Sequence, residues 1–525
     1  MSSFVPVQPQ ELERLIQKLS LKTSPLDIVP VQLLKQCQTE LSVIIAHLAN
    51  ASFSTGLFPR SMKFAIVTPL LKKAGLDTSV MKNFRPVSNL STVSKLLERL
   101  AVVRLKPHIC SSSNWNNLQS AYSQGHSTET ALCKILDDII EAADGGHITA
   151  LFSLDISGAF DAVDHQILIQ RLEEEFGITD TCRNWIKSYL TGRSATVRIG
   201  TATSPTVDVP LGVPQGSVLG PLLYTVYVAP IGRLIHNLGV NYHQYADDTQ
   251  LYTKLEVPVS ASLATLQQCV TALHAWFSQN GLLLNPDKSE VMYIGTRQRL
   301  RISELPETVT VAGNTIATTD KLKVLGVVLD SSLTFDQHVR DTVRNCNFHL
   351  RALRHIRPSL TSDVANTIAC SIIGSRLDYC NSLLVGISEQ NLDSIQRVQS
   401  KAARIVCNAG RHSPSSGLLY SLHWLPVRHR IEFKTATLCF KAVKLGTPSY
   451  LNNMLKPYAP LRALRSSNMD LLTVPRTDTS LGLRRFSVAG PQVWNRLPHE
   501  LRQCNTISSF KSNLKTYYFR RHMDN

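Results

Sequence analysis

The 525-residue sequence has no apolar run of the roughly 20 residues that a membrane-spanning helix requires. The longest candidate, LGPLLYTVYVAPIG at 219–232, is too short, so no membrane contact is expected. The opening residues MSSFVPVQPQELERLIQKL lack the basic start and apolar stretch of a secretory signal. Eleven cysteines are scattered with no C-x-x-C pair and no clustered spacing. That argues against a zinc site and a disulfide framework, and predicts reduced thiols in an intracellular protein. No internal repeat or low-complexity tract is found, so the chain reads as a series of unlike segments.

Acidic residues are scarce in one part of the chain. Residues 1–330 carry 28 basic and 28 acidic side chains, whereas residues 331–525 carry 27 basic and 11 acidic. The whole net charge of +16 therefore sits in the C-terminal part. A basic segment joined to a neutral one suggests a polyanionic partner, nucleic acid ahead of a membrane surface; the competing reading is a solvated, soluble face. A hydrophobic content of 43% makes the chain globular, and its length calls for several subdomains of about 100–200 residues.

Residues 11–56 show helical spacing, with LERLIQKL and LSVIIAHLANASFSTG ending at a glycine. KFAIVTPLLKKAG reads as a strand entering a basic turn, and STVSKLLERLAVVRLKPHI and STETALCKILDDIIEAAD as capped amphipathic helices. From 150, strand patterns appear in ALFSLDI, ATVRIG, PTVDVPL, HQYADDTQLYTKL, SEVMYIG, TVTVAG and VLGVVLD, separated by helices near 165–190, 217–236 and 260–280. Hairpins mixed with helices predict an α+β sheet with helices on one face. After about 335 the chain turns helical and basic, and from 411 its pattern is less regular.

HQYADDTQLY at 243–252 places two aspartates inside an apolar and aromatic run. Adjacent carboxylates repel, so a cation is needed to keep both ionised in a half-buried strand. In LFSLDISGAFDAVDH the alternation puts Leu151, Ser153 and Asp155 on one strand face, with the strand stopping near Gly158. Asp247 and Asp248 fall in a tight hairpin turn, from which carboxylates project toward a neighbouring strand end. Three such groups on one sheet edge make an oxygen site for hard divalent cations, Mg²⁺ first, and two ions there suit phosphoryl transfer. Alone, Asp-Asp in a turn reads as a hydrogen-bonded hairpin cap; the apolar flanks and the partner strand favour the metal site.

YADD at 245–248 resembles the catalytic motif of reverse transcriptases. NFRPVSNLSTVSKLLER, LDISGAFDAVDH, GVPQGSVLGPLLY and LLLNPDKSEVM follow the other motifs of that family in order. HSTETAL and AFDAVDH are similar to the reverse transcriptases of LINE-type (non-LTR) retrotransposons of the jockey and chicken-repeat group, over residues 20–520 or so. The resemblance implies a right-hand polymerase fold of fingers, palm and thumb with a helical basic C-terminal extension. It divides the chain into an N-terminal helical extension (1–52), fingers (53–150), palm (151–330), thumb (331–410) and a basic C-terminal region (411–525), with the reverse transcriptase domain at about 53–330.

The activity implied is RNA-directed DNA synthesis, a primer 3′-hydroxyl attacking the α-phosphorus of a dNTP, with RNA template, DNA primer and dNTPs as partners. Asp155 and Asp247 would hold two Mg²⁺ ions, for which Mn²⁺ could substitute, Asp248 would assist, and the Ile156 carbonyl would add an oxygen ligand. Phe160 matches the side chain that excludes a 2′-hydroxyl, though by type it is equally a core phenylalanine. Gln215 and Gly216 match the segment against the template and nascent base pair. Lys72, with Lys73 as the other candidate, and Arg85 match contacts to the triphosphate. Lys288, following an NPD turn, resembles the lysine that protonates pyrophosphate, and Gly326 the primer grip. The basic helices at 338–357 and 394–405 fit a thumb tracking duplex phosphates. Trp424 and Trp494 read as core anchors, with base stacking as the alternative.

Two departures stand out. Ser123 replaces a frequent basic residue, and complete elements carry an endonuclease domain before the polymerase, so a truncated product without target nicking is expected. No zinc knuckle or ribonuclease H signature is visible. The family's life cycle implies cytoplasm and nucleus. The competing functions are a relic that only binds nucleic acid and an RNA-dependent RNA polymerase; Phe160 argues against the latter.

Overall fold

Backbone contacts group the chain into two units, each discontinuous in sequence: residues 1–116, 156–237 and 272–285, and residues 117–155, 238–271 and 286–525. The structure, a computed structural model, describes residues 1–73, 75–459 and 469–523.

In the first unit, helices Pro9–Gln17 and Gln38–Thr55 follow the apolar spacing of the sequence, and the second stops at Gly56, left-handed at φ +67°. Phe4, Phe53 and Phe58 pack around Trp185, with ring centroids 5.4–5.5 Å from the indole. Strand Phe64–Leu71 pairs antiparallel with Phe84–Asn89 and parallel with Ser194–Ile199. PTVDVPL, expected as a full strand, contributes only Val207–Asp208. Pro205 and Pro210 flank it without amide donors, so the ladder cannot extend. Helix Thr92–Cys110 is capped by Ser91 as expected, the hydroxyl accepting from Ser94 N.

The second unit is built on a sheet in the order Asn241–Tyr245, Asp248–Leu255, Ile148–Ser157, Leu283–Ile294. Asn285-Pro286-Asp287, expected as a turn, instead belongs to the last of these strands. That strand is at the sheet edge, where a proline without an N–H is tolerated. Helix Thr128–Asp144, with Ser127 and Thr130 forming a capping box, buries Leu132, Ile135, Leu136 and Ile139 in a core shared with Leu151, Tyr252 and Met292. The same core takes in the hairpin Lys321–Val324/Val327–Asp330 and helices Asp336–Ile356 and Glu389–Val406.

The described residues after 411 are more regular than their pattern suggests. Helices Val427–Leu445, Phe486–Asn495 and Ile507–Met523 surround a second core of Phe440, Trp494 and Phe510, which also takes in Cys133. Trp494 is a core anchor, its indole N–H donating to Asp470 O. Trp424 packs half-buried on the first core. Helix Thr128–Asp144 ties this region down: Asp137 accepts from Ser487 N at 2.7 Å and faces Arg485, and Asp144 accepts from Thr479 Oγ1 at 2.6 Å. Among the described residues no helix is long and apolar enough to cross a membrane.

Candidate active site

Strands Asn241–Tyr245 and Asp248–Leu255 close their ladder at the pair Tyr245–Asp248, leaving Ala246 and Asp247 as a two-residue turn. Ala246 is left-handed at φ +57°, the sign the first position of a type II′ hairpin requires. An alanine there costs about 1–2 kcal/mol relative to right-handed backbone. The cost is met by Gln119, almost fully buried, whose Oε1 accepts from Ala246 N at 2.8 Å and whose Nε2 donates to Ala246 O at 3.0 Å. Main-chain bonds from Ser120 N to Gln244 O and from Gln244 N to Leu118 O, both 2.9 Å, hold the same segment against the strand. Gln119 was not anticipated. No local pattern marks it, because its partner is 127 residues away.

Antiparallel pairing of Ile148–Ser157 with Asp248–Leu255 runs from Ile148–Leu255 to Leu154–Thr249, so Asp155 and Asp248 are the next facing positions. Leu154 and Ile156 are buried and Asp155 is partly exposed, the alternation expected of the strand. Lys288 Nζ lies 3.1 Å from Asp155 Oδ2. Burial, then the charges of Asp247 and Asp155, push the Asp248 carboxyl up to about 6.

Among the described residues no group of three or more His, Cys, Asp or Glu side chains is placed to hold a metal ion. The donor set nevertheless fits a hard divalent cation. Its donors are oxygens, Asp248 is near enough to Asp247 and Asp155 to be raised by their charge, and the side chain drawn to Asp155 is itself a cation. The structure thus gathers Asp155, Asp247, Asp248 and Lys288 within the second unit. In the same unit, Leu325 (φ +46°) and Gly326 (φ +86°) form a tight hairpin turn. Tyr379 donates to Leu325 O at 2.6 Å, and a Cβ on Gly326 would meet its hydroxyl at 3.1 Å, so the close approach at this glycine is made by the chain itself.

The remaining candidates belong to the first unit. Ile156 follows Asp155 in the strand with its side chain buried. Phe160 is stacked on Tyr224, centroids 4.6 Å apart, and its carbonyl accepts from Val213 N. Gln215 donates to Asp161 Oδ2 at 2.8 Å and its carbonyl accepts from Ser88 N at 2.7 Å. Gly216, at φ +114°, has Ser88 O where a Cβ would stand, 2.8 Å away. Lys72 is exposed and donates to Lys82 O; Arg85 is exposed in the strand opposite Leu70.

Residues 71–329 match the family described as "Reverse transcriptase (RNA-dependent DNA polymerase)". A probable RNA-directed DNA polymerase from transposon BS of Drosophila melanogaster is 28% identical over 88% of this chain and 51% of its own length. The RNA-directed DNA polymerase from mobile element jockey of Drosophila funebris is 28% identical over 77% of this chain and 44% of its own. The chain therefore spans about half the length of these relatives. Among solved structures, telomerase from Candida albicans covers 71% of this chain and 64% of its own at 11% identity and a TM-score of 0.33.

Proposed function

We propose, from the premise that residues 71–329 belong to the reverse transcriptase family, that this chain is an RNA-directed DNA polymerase of a non-LTR retrotransposon that extends a primer 3′-hydroxyl with dNTPs. The architecture is then the right-hand polymerase fold. The observation that carries the activity is the convergence of Asp155, Asp248 and the Asp247 turn at one sheet end, with Lys288 3.1 Å from Asp155.

Asp155, Asp247, Asp248 and the Ile156 carbonyl are the residues that would hold two Mg²⁺ ions, or Mn²⁺ in their place. Those ions would activate the attacking hydroxyl and neutralise charge on the phosphates. The chain's own groups do the rest. Gln119 fixes the turn, so that Asp247 and Asp248 keep their places without reorganisation. Lys288 is an ammonium donor for the departing pyrophosphate. Phe160, backed by Tyr224, sits under the sugar of the incoming nucleotide and rejects a 2′-hydroxyl. Lys72 and Arg85 take the triphosphate, Gln215 and Gly216 line the nascent pair, and Gly326 marks the primer-grip hairpin. The exposed Arg340, Arg344 and Arg351 on one helix face follow duplex phosphates, so retention of duplex falls steeply with salt.

The test is primer extension on poly-rA/oligo-dT with Mg²⁺. Incorporation of dTTP by the wild-type chain and none by Asp247→Asn is expected. A folded preparation that retains duplex yet incorporates nothing would overturn the polymerase reading in favour of a nucleic-acid-binding relic.

A further inference from the structure

Tyr450, on the short helix Ser449–Met454, lies outside the segment that matches the reverse transcriptase family. It is nonetheless buried beside the strand that leads into the Asp247 turn. Its hydroxyl is 2.9 Å from Ser120 Oγ and 2.9 Å from Thr130 Oγ1. Ser120 Oγ is in turn 2.8 Å from His243 Nε2. The Tyr450 ring stands edge-on to His243, centroids 5.1 Å apart, and to His126 at 5.5 Å.

The protons of this buried chain can be placed by elimination. Thr130 Oγ1 donates to Ser127 O and accepts from Ser127 N, so it has no proton left for Tyr450. Tyr450 therefore donates to Thr130, Ser120 donates to Tyr450, and the acceptor left on Ser120 takes a proton from His243 Nε2. His243 is then a neutral imidazole protonated at Nε2, in keeping with burial, which holds its pKa down to about 3. Every hydroxyl in the chain is satisfied in one direction only. Ser120 is also the residue after Gln119, the clamp of the turn, and its amide donates to Gln244 O.

We propose that the C-terminal region is a brace for the catalytic turn, and that Tyr450 is a positioning residue that acts through Ser120 and His243 on the strand carrying Asp247 and Asp248. The inference rests on the polymerase reading for its kinetic consequence, not for its structural one. Gly125 supports it: at φ +80° it leaves room for Thr447, whose Oγ1 would lie 2.5 Å from a Cβ there and which donates to Gln124 O. The C-terminal chain is thus docked on residues 118–130 at two successive points.

The experiment compares full-length wild type, Tyr450→Phe, Ser120→Ala and the double variant. Tyr450→Phe keeps the ring against both histidines and removes only the hydroxyl. The expected result is a fall in kcat of about tenfold or more for each single variant, with the KM for primer-template unchanged, as misplacement of catalytic groups predicts. The double variant should be no slower than the worse single one, because both break one chain. Amide hydrogen exchange should quicken at Gln244–Thr249, which a loss confined to the C-terminal helices would leave untouched. Wild-type kcat and wild-type exchange in both single variants would overturn the brace. If wild type itself incorporates nothing, the polymerase reading fails and the exchange of Gln244–Thr249 alone decides the brace. If Tyr450→Phe does not fold, Ser120→Ala carries both readouts.

Discussion

Glu98, in the first unit, is completely buried, and its Oε2 accepts from Val218 N at 2.7 Å, Leu219 N at 3.0 Å and Tyr189 OH at 3.2 Å. Asp155, Asp247 and Asp248, in the second unit, are set in a sheet end and a turn where Asp248 feels the charges of the other two. Burial raises the pKa of Glu98 in spite of its donors, whereas Asp248 is raised by burial and by like charge together. The first carboxylate is completed by the chain itself and fixes the residues just after Gly216. In the second group Asp155 is paired with a cation, Lys288, and the proposed function would add divalent cations there. A carboxylate surrounded by its own donors reads as architecture; a set held together against repulsion reads as a binding site.

The contrast breaks first, and by the largest margin, at Asp247. Asp247→Asn is expected to lower primer extension at least about 10³-fold, equivalent to about 4 kcal/mol of barrier. Its melting temperature should not fall, since a repulsive charge has been removed. A loss of activity that comes with a lower melting temperature would mean that Asp247 is architecture after all.

Glu98→Ala is the reciprocal test. It leaves two amides, a phenol and the Ser94 hydroxyl without their acceptor; the hydroxyls can turn but the two amides cannot, and at about 1–3 kcal/mol for each orphaned amide a destabilisation of roughly 2–6 kcal/mol is expected in denaturant unfolding. Glu98→Gln retains an acceptor and should be far milder. The raised folded pKa fixes the sign of its pH dependence: the contribution of Glu98 is fully present below 4.5 and is lost as pH rises through its folded value. Glu98→Gln should therefore gain stability relative to wild type as pH rises above 4.5. A relative loss of stability by Glu98→Gln as pH rises would instead show that Glu98 is held ionised.

Lys288 sharpens the comparison from the side of the cation. Its ion pair with Asp155 is largely exposed, of a kind worth about 0–1 kcal/mol, so Lys288→Met should scarcely move the melting temperature. If it donates the proton to pyrophosphate, kcat should fall about 10²-fold. An unchanged kcat would reduce Lys288 to a surface lysine.

Much of this was legible in the residues. The alternation of LFSLDI put Asp155 on the strand face opposite Leu154 and Ile156, capping serines marked both long helices, and the apolar flanks of YADD announced a hairpin. Lys288 was placed near the site, though on a turn where the structure has an edge strand, because Pro286 looks like a breaker and only the sheet order shows that it costs no ladder bond. Gln119, Glu98 and Tyr450 were not legible as functional supports. Each acts through a partner more than 90 residues away, and a buried polar side chain carries no periodic signature of its partner. The helices after 411 were obscured for a related reason: Gly490 and Pro491 interrupt Phe486–Asn495, and the apolar faces of this region make sense only against residues such as Cys133 on a distant helix.

The smallest effect is expected at Ala246, the first residue of the turn that carries Asp247. Its φ of +57° is one that glycine adopts freely, so Ala246→Gly relieves about 1 kcal/mol of strain. Glycine also frees the unfolded chain, at a cost of about 0.4–1 kcal/mol, and the two terms nearly cancel. Gln119 reaches residue 246 through its amide and carbonyl, which glycine keeps, so the clamp survives the change. Stability within about 0.5 kcal/mol of wild type and kcat within about twofold are therefore expected. A large fall in kcat with stability intact would show that the alanine methyl, rather than the glutamine clamp, holds Asp247 in place.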